Sequence, residues 1–456
     1  MALRCPRSMP SKPIADSRGL TVGLLGGKTE CKQSAKQQEG QRRPPLGSLD
    51  APRMFATPLF LSFRDLISLM HASHLCGVYI HICCCGMHRI LSFAQHASWH
   101  APLRNRGVLA VEGADARKLL QGLVTSNVAE LDERPQHAGF LSVQGRLLHE
   151  AFLVSAPEGG VLIDAERAAL PALSAQIRRY RLRSKASVRD ASAELEVVAV
   201  VGQEVAEAAS TPACEGGAWA DPRLPYLGHR LLRARDASQP PDWLRPSAEV
   251  GAELHALQLA LLGVPSGERQ LWPNETFPLE ANLDLLGSIS FAKGCYLGQE
   301  LTARTHFRGV VRKRLAPLVD ARLLPRGRGG DMSSVPLLPA FAHLPEPEAR
   351  LAGLVIGGID VNAATPHAES GMADEGTTGG AVDAGTIPRA DGDLQDASGA
   401  KLGSMRAYDA QLGVGLALCR LQALQDDRAS SASGALTWEA GPALAPLRPS
   451  WWPKEL

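Results

Sequence analysis

Ile289-Ser-Phe-Ala-Lys-Gly-Cys-Tyr-Leu-Gly-Gln-Glu-Leu-Thr-Ala-Arg-Thr-His306 is the stretch on which the reading of this chain turns. Ile289 to Phe291 reads as a strand and Tyr296 to His306 as a helix. Lys293, Gly294 and Cys295 form the turn between them. That placement sets Cys295 at or next to a helix N-terminus, where the partial positive charge and the Lys293 ammonium would favour a thiolate. Gly294 would let backbone or ligand approach closely. Gly298 in the first helical turn costs about 1 kcal/mol relative to Ala, which makes sense if something packs against it. Glu300 and Arg304 are spaced to pair along the helix. A lone cysteine at such a junction is otherwise most simply a small buried residue.

Working outward, Arg106 to Glu112 alternates like a strand, and Ala114 to Leu123 has helical spacing with Leu119, Leu120 and Leu123 on one face. Gly139 to Val143 and Leu147 to Val154 read as a hairpin turning at Gln144-Gly145. Residues 166–180 are expected to be helical and Ser187 to Val201 a strand. Residues 253–262 form an amphipathic helix stopped by Gly263 and Pro265. Beyond Arg314 the alternation suggests a small β-domain. Strands and helices intersperse without a βαβ rhythm, so the fold class is α+β. The boundaries expected are a leader over 1–100, α+β domains over 101–205 and 206–307, and a β-domain over 308–453. That last domain is expected to be interrupted by a largely disordered insertion at about 325–399, because no Phe, Tyr or Trp falls between Phe341 and Tyr408 and acids outnumber bases there. Leu351 to Ile356 reads as a strand inside the interruption.

The first hundred residues are poor in acids and carry Arg and Ser, as organelle transit peptides do. Met54 to Met70 has the pattern of an amphipathic helix. The longest uncharged apolar run, Leu75 to Met87, is shorter than the roughly 20 residues that span a bilayer. Cys83-Cys84-Cys85 with His74, His81 and His88 fits no zinc-ligand spacing. The nine cysteines of this 456-residue chain make no disulfide framework, and the net charge of +1 argues against nucleic-acid and membrane partners. Only Cys214, Cys295 and Cys419 fall in the part that reads as folded. A [4Fe–4S] cluster needs about four thiolates, so no metal or cluster is expected to be held stably by this chain alone.

The string KGCYLGQELTARTHFRGVVRKRL, from Lys293 to Leu315, resembles the signature of the YgfZ-type folate-binding iron–sulfur cluster assembly factors, in particular their mitochondrial members. That group is a branch of the aminomethyltransferase-like superfamily. Further blocks match in order: Asn105 to Val111 with Leu119 to Thr125, Gly139 to Arg146, Tyr180 to Lys185, Asp221-Pro-Arg223 with Leu227-Gly228, Gly413 to Leu418, and Trp451-Trp452-Pro453. The resemblance covers about 103–322 and 400–453.

The resemblance implies a ring-shaped α+β body with a C-terminal β-barrel and a central cavity for tetrahydrofolate. It implies a role in maturing [4Fe–4S] proteins such as aconitase and lipoate-synthesis enzymes in the mitochondrial matrix, with A-type iron–sulfur scaffold proteins as partners. Cys295 carries over as the functional (catalytic) cysteine. Lys293, Gly294, Tyr296, Gln299, Glu300 and Arg304 carry over as its setting, and Glu150 as the carboxylate that addresses folate. Two positions depart from the pattern: Glu150 stands where an Asp is usual and Ser142 where Asn is common. The longer carboxylate displaces the reacting group by about one methylene, enough to spoil near-attack geometry. A folate-dependent aminomethyl or one-carbon transferase is therefore the alternative to an assembly factor. On residues alone, His149 and Glu150 read equally well as solvated hairpin residues. Six bases against one acid between Lys293 and Arg314 make either a solvated face or a rim for an acidic partner or a folate tail. Aromatics are too sparse there for base stacking.

Overall fold

The computed structural model describes residues 98–202, 218–237, 239–324, 338–357, 386–425, 435–438 and 441–456. All lie in the second of two compact units, Cys76–Leu456. The leader, with its helix and its cysteine triplet, lies outside the described residues, as does Cys214.

The chain enters as β1 (Trp99–Pro102), a strand the sequence reading missed, and continues into β2 (Arg106–Glu112). Helix α1 (Ala116–Gln121) turns it toward the hairpin of β3 (Gln136–Leu141) and β4 (Leu147–Ser155). Then come β5 (Val161–Glu166), helix α2 (Leu170–Arg181) and β6 (Ser187–Asp190). Five of these strands make an antiparallel sheet in the order β3-β4-β5-β2-β6. Leu119, Leu120, Leu173 and Ile177 of the two helices pack into the same core as Phe140, Leu153 and Ile163. Burying each such side chain contributes about 1.5–3 kcal/mol.

Ser187 to Val201 is not one strand. Asp190 Oδ1 accepts from Ser192 N at 2.8 Å, and the turn carries the chain into β7 (Leu195–Val201), which belongs to a different sheet. That sheet runs β10-β1-β7-β9-β8, with β8 (Ala218–Ala220), β9 (His229–Ala234) and β10 (Ala248–Glu249). Period-2 patterning cannot tell one strand from two when the turn between them is short and polar.

Helix α3 (Ala252–Leu261) follows, with Gly263 at φ +66 closing it. It is central rather than amphipathic: all of its residues except Glu253 are buried, including His255 and Gln258. It packs against β1 and against strands of the β-domain. Helix α4 (Gln299–Arg308) then leads into β11 (Lys313–Asp320).

The β-domain order is β15-β12-β13-β14-β11-β16. Its remaining strands are β12 (Asp393–Gln395), β13 (Lys401–Asp409), β14 (Val414–Arg420), β15 (Thr437–Trp438) and β16 (Leu444–Pro446). Leu436 and Leu444 exchange backbone hydrogen bonds of 2.7 and 2.8 Å, bringing the two sheet edges together in a nearly closed barrel and removing exposed edges. The expected interruption at 325–399 is only partly irregular. Helix α5 (Glu346–Gly357) occupies the place read as a strand, and Ile387 and Leu394 are core residues. The apolar run Leu351 to Ile356 is too short for its pattern to separate helix from strand. Residues 325–337 and 358–385 lie outside the described residues. Short α6 (Leu421–Gln425) follows β14. Among the described residues no helix is long and apolar enough to cross a membrane.

Candidate functional site

Residues 288–298 form a loop, not a strand and a turn. Ser290 N donates to Thr125 O at 2.9 Å, and Leu297 N to Gly122 O at 2.9 Å. Thr125 Oγ1 donates to Ser288 O at 2.6 Å. The loop is therefore strapped along residues 122–126, which the sequence reading noted only as a matching block. Helix α4 begins at Gln299, so Cys295 sits four residues before it and outside the first helical turn. The expected placement of Cys295 at a helix N-terminus is corrected accordingly. The reason is Gly298: it adopts φ +76, and a Cβ there would meet Ser142 O at 2.3 Å. The left-handed residue at the helix start breaks the periodicity that suggested an earlier beginning.

Cys295 is exposed, with no disulfide. Cys419 is buried in the barrel, where desolvation pushes its thiol up to about 12. The Lys293 Nζ donates to Val124 O and Ser126 O at 2.7 Å each and lies 5.0 Å from the Tyr296 ring centroid. Burial lowers its ammonium to about 8. Its hydrogen bonds go to backbone carbonyls, so its role here is to anchor the loop. Tyr296 is buried, with its hydroxyl raised to about 12 by desolvation. Gln299 Oε1 accepts from Tyr296 N at 3.1 Å while Gln299 N donates back to Tyr296 O at 3.3 Å. That reciprocal pair fixes the loop's exit. Gly294 is open: a Cβ there would meet nothing within 4 Å. The chain itself packs closely against Gly298, as its cost in the first turn suggested. Glu300 and Arg304 pair at 2.7 Å on the exposed face.

Glu150 is elsewhere, and it is not solvated. It lies in a buried cluster, with Oε1 2.5 Å from Arg106 Nη1 and Oε2 2.8 Å from His137 Nε2. Ser266 Oγ and Gly267 N each donate to Oε1 at 3.3 Å. Burial alone would raise this carboxyl, but Arg106 and His137 outweigh it and hold it well below the usual range. The ionised carboxylate can only accept, so His137 Nε2 donates to it. Burial keeps the imidazole neutral, and its Nδ1 accepts from Ser288 Oγ at 2.6 Å. A chain of hydrogen bonds thus runs from Glu150 through His137 and Ser288 to Thr125, at the base of the cysteine loop. Asp164 completes the cluster by accepting from both Arg106 and Arg230. The guanidiniums of Arg106, Arg223 and Arg230 lie 5.4, 4.7 and 4.0 Å from the Phe152 ring. His149 is also buried, 2.9 Å from Glu268.

A cavity of about 20 Å³ opens beside this cluster, lined by Asn105, Arg106, Glu166, Arg230, His255 and Gln270 among others. That is room for about one or two waters. Tetrahydrofolate does not fit it as it stands, and the carboxylate expected to address folate is fully engaged by Arg106 and His137. The residues that line the cavity include no Phe, Tyr or Trp; His255 is its one aromatic ring. No group of three or more metal-ligating side chains occurs among the described residues.

The CAF17 C-terminal beta-barrel domain family matches residues 312–454. The mitochondrial iron–sulfur cluster assembly factor IBA57 homolog of Coccidioides immitis is 35% identical over 246 residues, 48% of this chain and 56% of that protein. Its counterpart in Pyricularia oryzae is 37% identical over 222 residues with the same coverage. The human IBA57 assembly factor is 38% identical over 236 residues, 47% of this chain and 65% of that protein. The chain thus spans a little over half the length of the first of these relatives. Among solved structures, the glycine cleavage system aminomethyltransferase T of Bartonella henselae aligns over 80% of this chain and 89% of its own. The TM-score is 0.52 at 12% identity, a likeness of fold alone.

Proposed function

Because the chain is homologous to the IBA57- and YgfZ-type assembly factors of the aminomethyltransferase-like superfamily, we propose that it supports maturation of [4Fe–4S] proteins in the mitochondrial matrix. The observation that carries the reading is the exposed Cys295 thiol on a loop held by Lys293, Thr125, Leu297 and Gln299. A thiolate is a soft ligand suited to iron. One thiolate cannot hold a cluster, but it completes a ligand set whose other members come from a partner, for which A-type scaffold proteins are the class proposed. The cluster is cargo in this scheme. The chain's own part is to present one sulfur at a fixed position, with its loop already ordered, so that little conformational entropy is lost on docking.

Tetrahydrofolate binding rests on the aminomethyltransferase-like fold. The small cavity and the engaged Glu150 give it no further support, so the proposed function runs without a folate step. Calorimetric titration of the full chain with tetrahydrofolate tests that part separately.

The decisive experiment depletes the protein and reads aconitase activity and protein lipoylation. Rescue by the natural chain and failure by Cys295→Ser is the expected result. Full activity after depletion would overturn the assembly role.

A further inference from the structure

The described residues expose only four large apolar side chains: two stand at the end of α4 and a third on the turn that packs on its start. Phe307, at the end of the helix, is 67% exposed, and Val310 just beyond it 77%. Val143 stands on the β3–β4 turn. That turn packs on the start of α4: a Cβ at Gly145 would meet Gly298 O at 2.9 Å and Leu301 Cβ at 3.1 Å. Beside these projections lies a pocket of about 120 Å³ lined by Phe277, Leu279, Leu301, Thr305 and Val311. At the roughly 10–15 Å³ of such space that one water needs, that is room for several waters or for one bulky apolar side chain. The Arg146 guanidinium lies 3.6 Å from the centre of the Phe277 ring. Exposed apolar side chains at the end of a helix whose flank lines a largely apolar pocket are the kind of feature that marks an interaction surface.

The exposed charge on this face is mainly basic. Glu300 is the only acid between Lys293 and Arg314 and is paired with Arg304. Arg308, Arg312 and Lys313 form no ion pair among the described residues. Glu280 lines the pocket; burial raises its carboxyl, and Lys313, Arg406 and Arg146 act against that. We infer that the face around α4 docks an acidic protein segment that inserts one bulky apolar side chain into the Phe277–Leu301–Val311 pocket. The inference rests on the assembly-factor reading, since α4 starts four residues after Cys295 and the docked segment would hold a partner's cluster ligands near that sulfur.

The features favour a protein segment over the other polyanions. An anionic bilayer would meet the projections but leave a concave pocket unfilled. A single-stranded nucleic acid needs a run of free aromatic faces, whereas Phe307 is the one aromatic among the large exposed apolar side chains described and Phe291 and His306 stack on each other at 3.6 Å.

The test uses the full chain and a fluorescein-labelled peptide, Asp-Glu-Asp-Leu-Phe-Glu-Asp-Glu, followed by anisotropy. Binding should weaken at least tenfold when Leu-Phe is replaced by Ala-Ala. It should weaken at least tenfold for Arg308→Glu/Arg312→Glu, and also for Phe307→Ser/Val310→Ser, whose exposed positions leave the fold intact. It should fall with added salt. The docking variants should fail to rescue depleted cells while their Cys295 is still alkylated at the natural rate. Absence of binding, indifference to the charge reversal, or equal binding of a Lys-for-acid peptide overturns the inference. So does capture by vesicles of phosphatidylglycerol and phosphatidylcholine with the peptide ignored. Rescue by Cys295→Ser would instead sink the thiolate reading and leave the peptide result standing.

Discussion

Lys293 Nζ donates to the carbonyl oxygen of Val124 at 2.7 Å, 169 residues earlier in the chain, and this contact ties the cysteine loop to the first sheet's helix connection. A second bond of equal length goes to Ser126 O. Hydrogen bonds to charged groups contribute about 1.5–3 kcal/mol each, toward the low end for a partly exposed ammonium. Lys293→Ala should therefore loosen the loop and lower stability by about 1–3 kcal/mol. Hydrogen exchange over 288–298 is the measurement. Unchanged protection of that segment, together with slower alkylation of Cys295, would restore the electrostatic role read from the sequence.

The two glycines of the motif should behave oppositely. Gly298 holds φ +76 with Ser142 O where a Cβ would sit, whereas Gly294 faces open space. A side chain in the left-handed region costs about 1–2 kcal/mol, and the clash adds to it. Gly298→Ala should lower the urea midpoint clearly, and Gly294→Ala should move it hardly at all. Equal effects would contradict the backbone geometry.

How far this site was legible in the sequence depends on the range of the contacts involved. The strand Arg106–Glu112 and the hairpin around Gly145 were readable because period 2 and a turn signal are local. The Glu300–Arg304 pair was readable for the same reason. Ile289 to Phe291 imitates a strand but finds only the 122–126 segment beside it, so it stays a loop. The residues alone left Glu150 open between a solvated hairpin position and a functional one, because charged residues are usually exposed. Its burial depends on Arg106, 44 positions away, and on the choice of partner for His137, neither of which has a sequence signature. Helix α5 and β12 were hidden by a composition dominated by the residues between them.

That composition makes one prediction sharp. Deleting 361–399 would remove not only residues outside the described set but also Ile387 and Leu394, which are 1% and 0% exposed. The full deletion should destabilise the barrel, whereas a deletion confined to 361–384 should not, because shortening a loop changes closure entropy by only about 0.6 kcal/mol per halving. Leu394→Ala alone should cost about 2–5 kcal/mol. Equal melting temperatures for the two deletions would count against β12 as part of the core.

The buried histidines set an acid limit. Burial first, then Arg230 and Arg223, lower His255 from 6.5 to about 3. Between those values the unfolded state binds a proton that the folded state refuses. Stability therefore rises with pH across this window and is lost as pH falls from about 6.5, at up to about 1.4 kcal/mol per pH unit for one such group. His137 acts in the same direction. Glu150 and Asp221, both depressed, add their losses only below the ordinary carboxylate range. Urea midpoints at pH 7.5, 6.5 and 5.5 should fall in that order, and His255→Gln should flatten the decline. An identical slope in the variant would move the effect to another group.

Cys295→Ser should abolish function with the fold nearly intact. The side chain is exposed and makes no hydrogen bond that the loop depends on, since Lys293, Thr125, Leu297 and Gln299 hold the loop without it. The melting temperature should therefore stay within about a degree or two, as surface substitutions usually remain within ~0.5 kcal/mol. The hydroxyl cannot replace a thiolate as a soft ligand for iron, so aconitase activity in depleted cells should not return. Cys419→Ser is the matched control: it places a hydroxyl in a buried apolar barrel position, so it should lower stability while leaving the exposed thiol, and with it the rescue, in place. If Cys419→Ser lost rescue at a temperature where it is folded and Cys295→Ser kept it, the functional sulfur would have been assigned to the wrong residue.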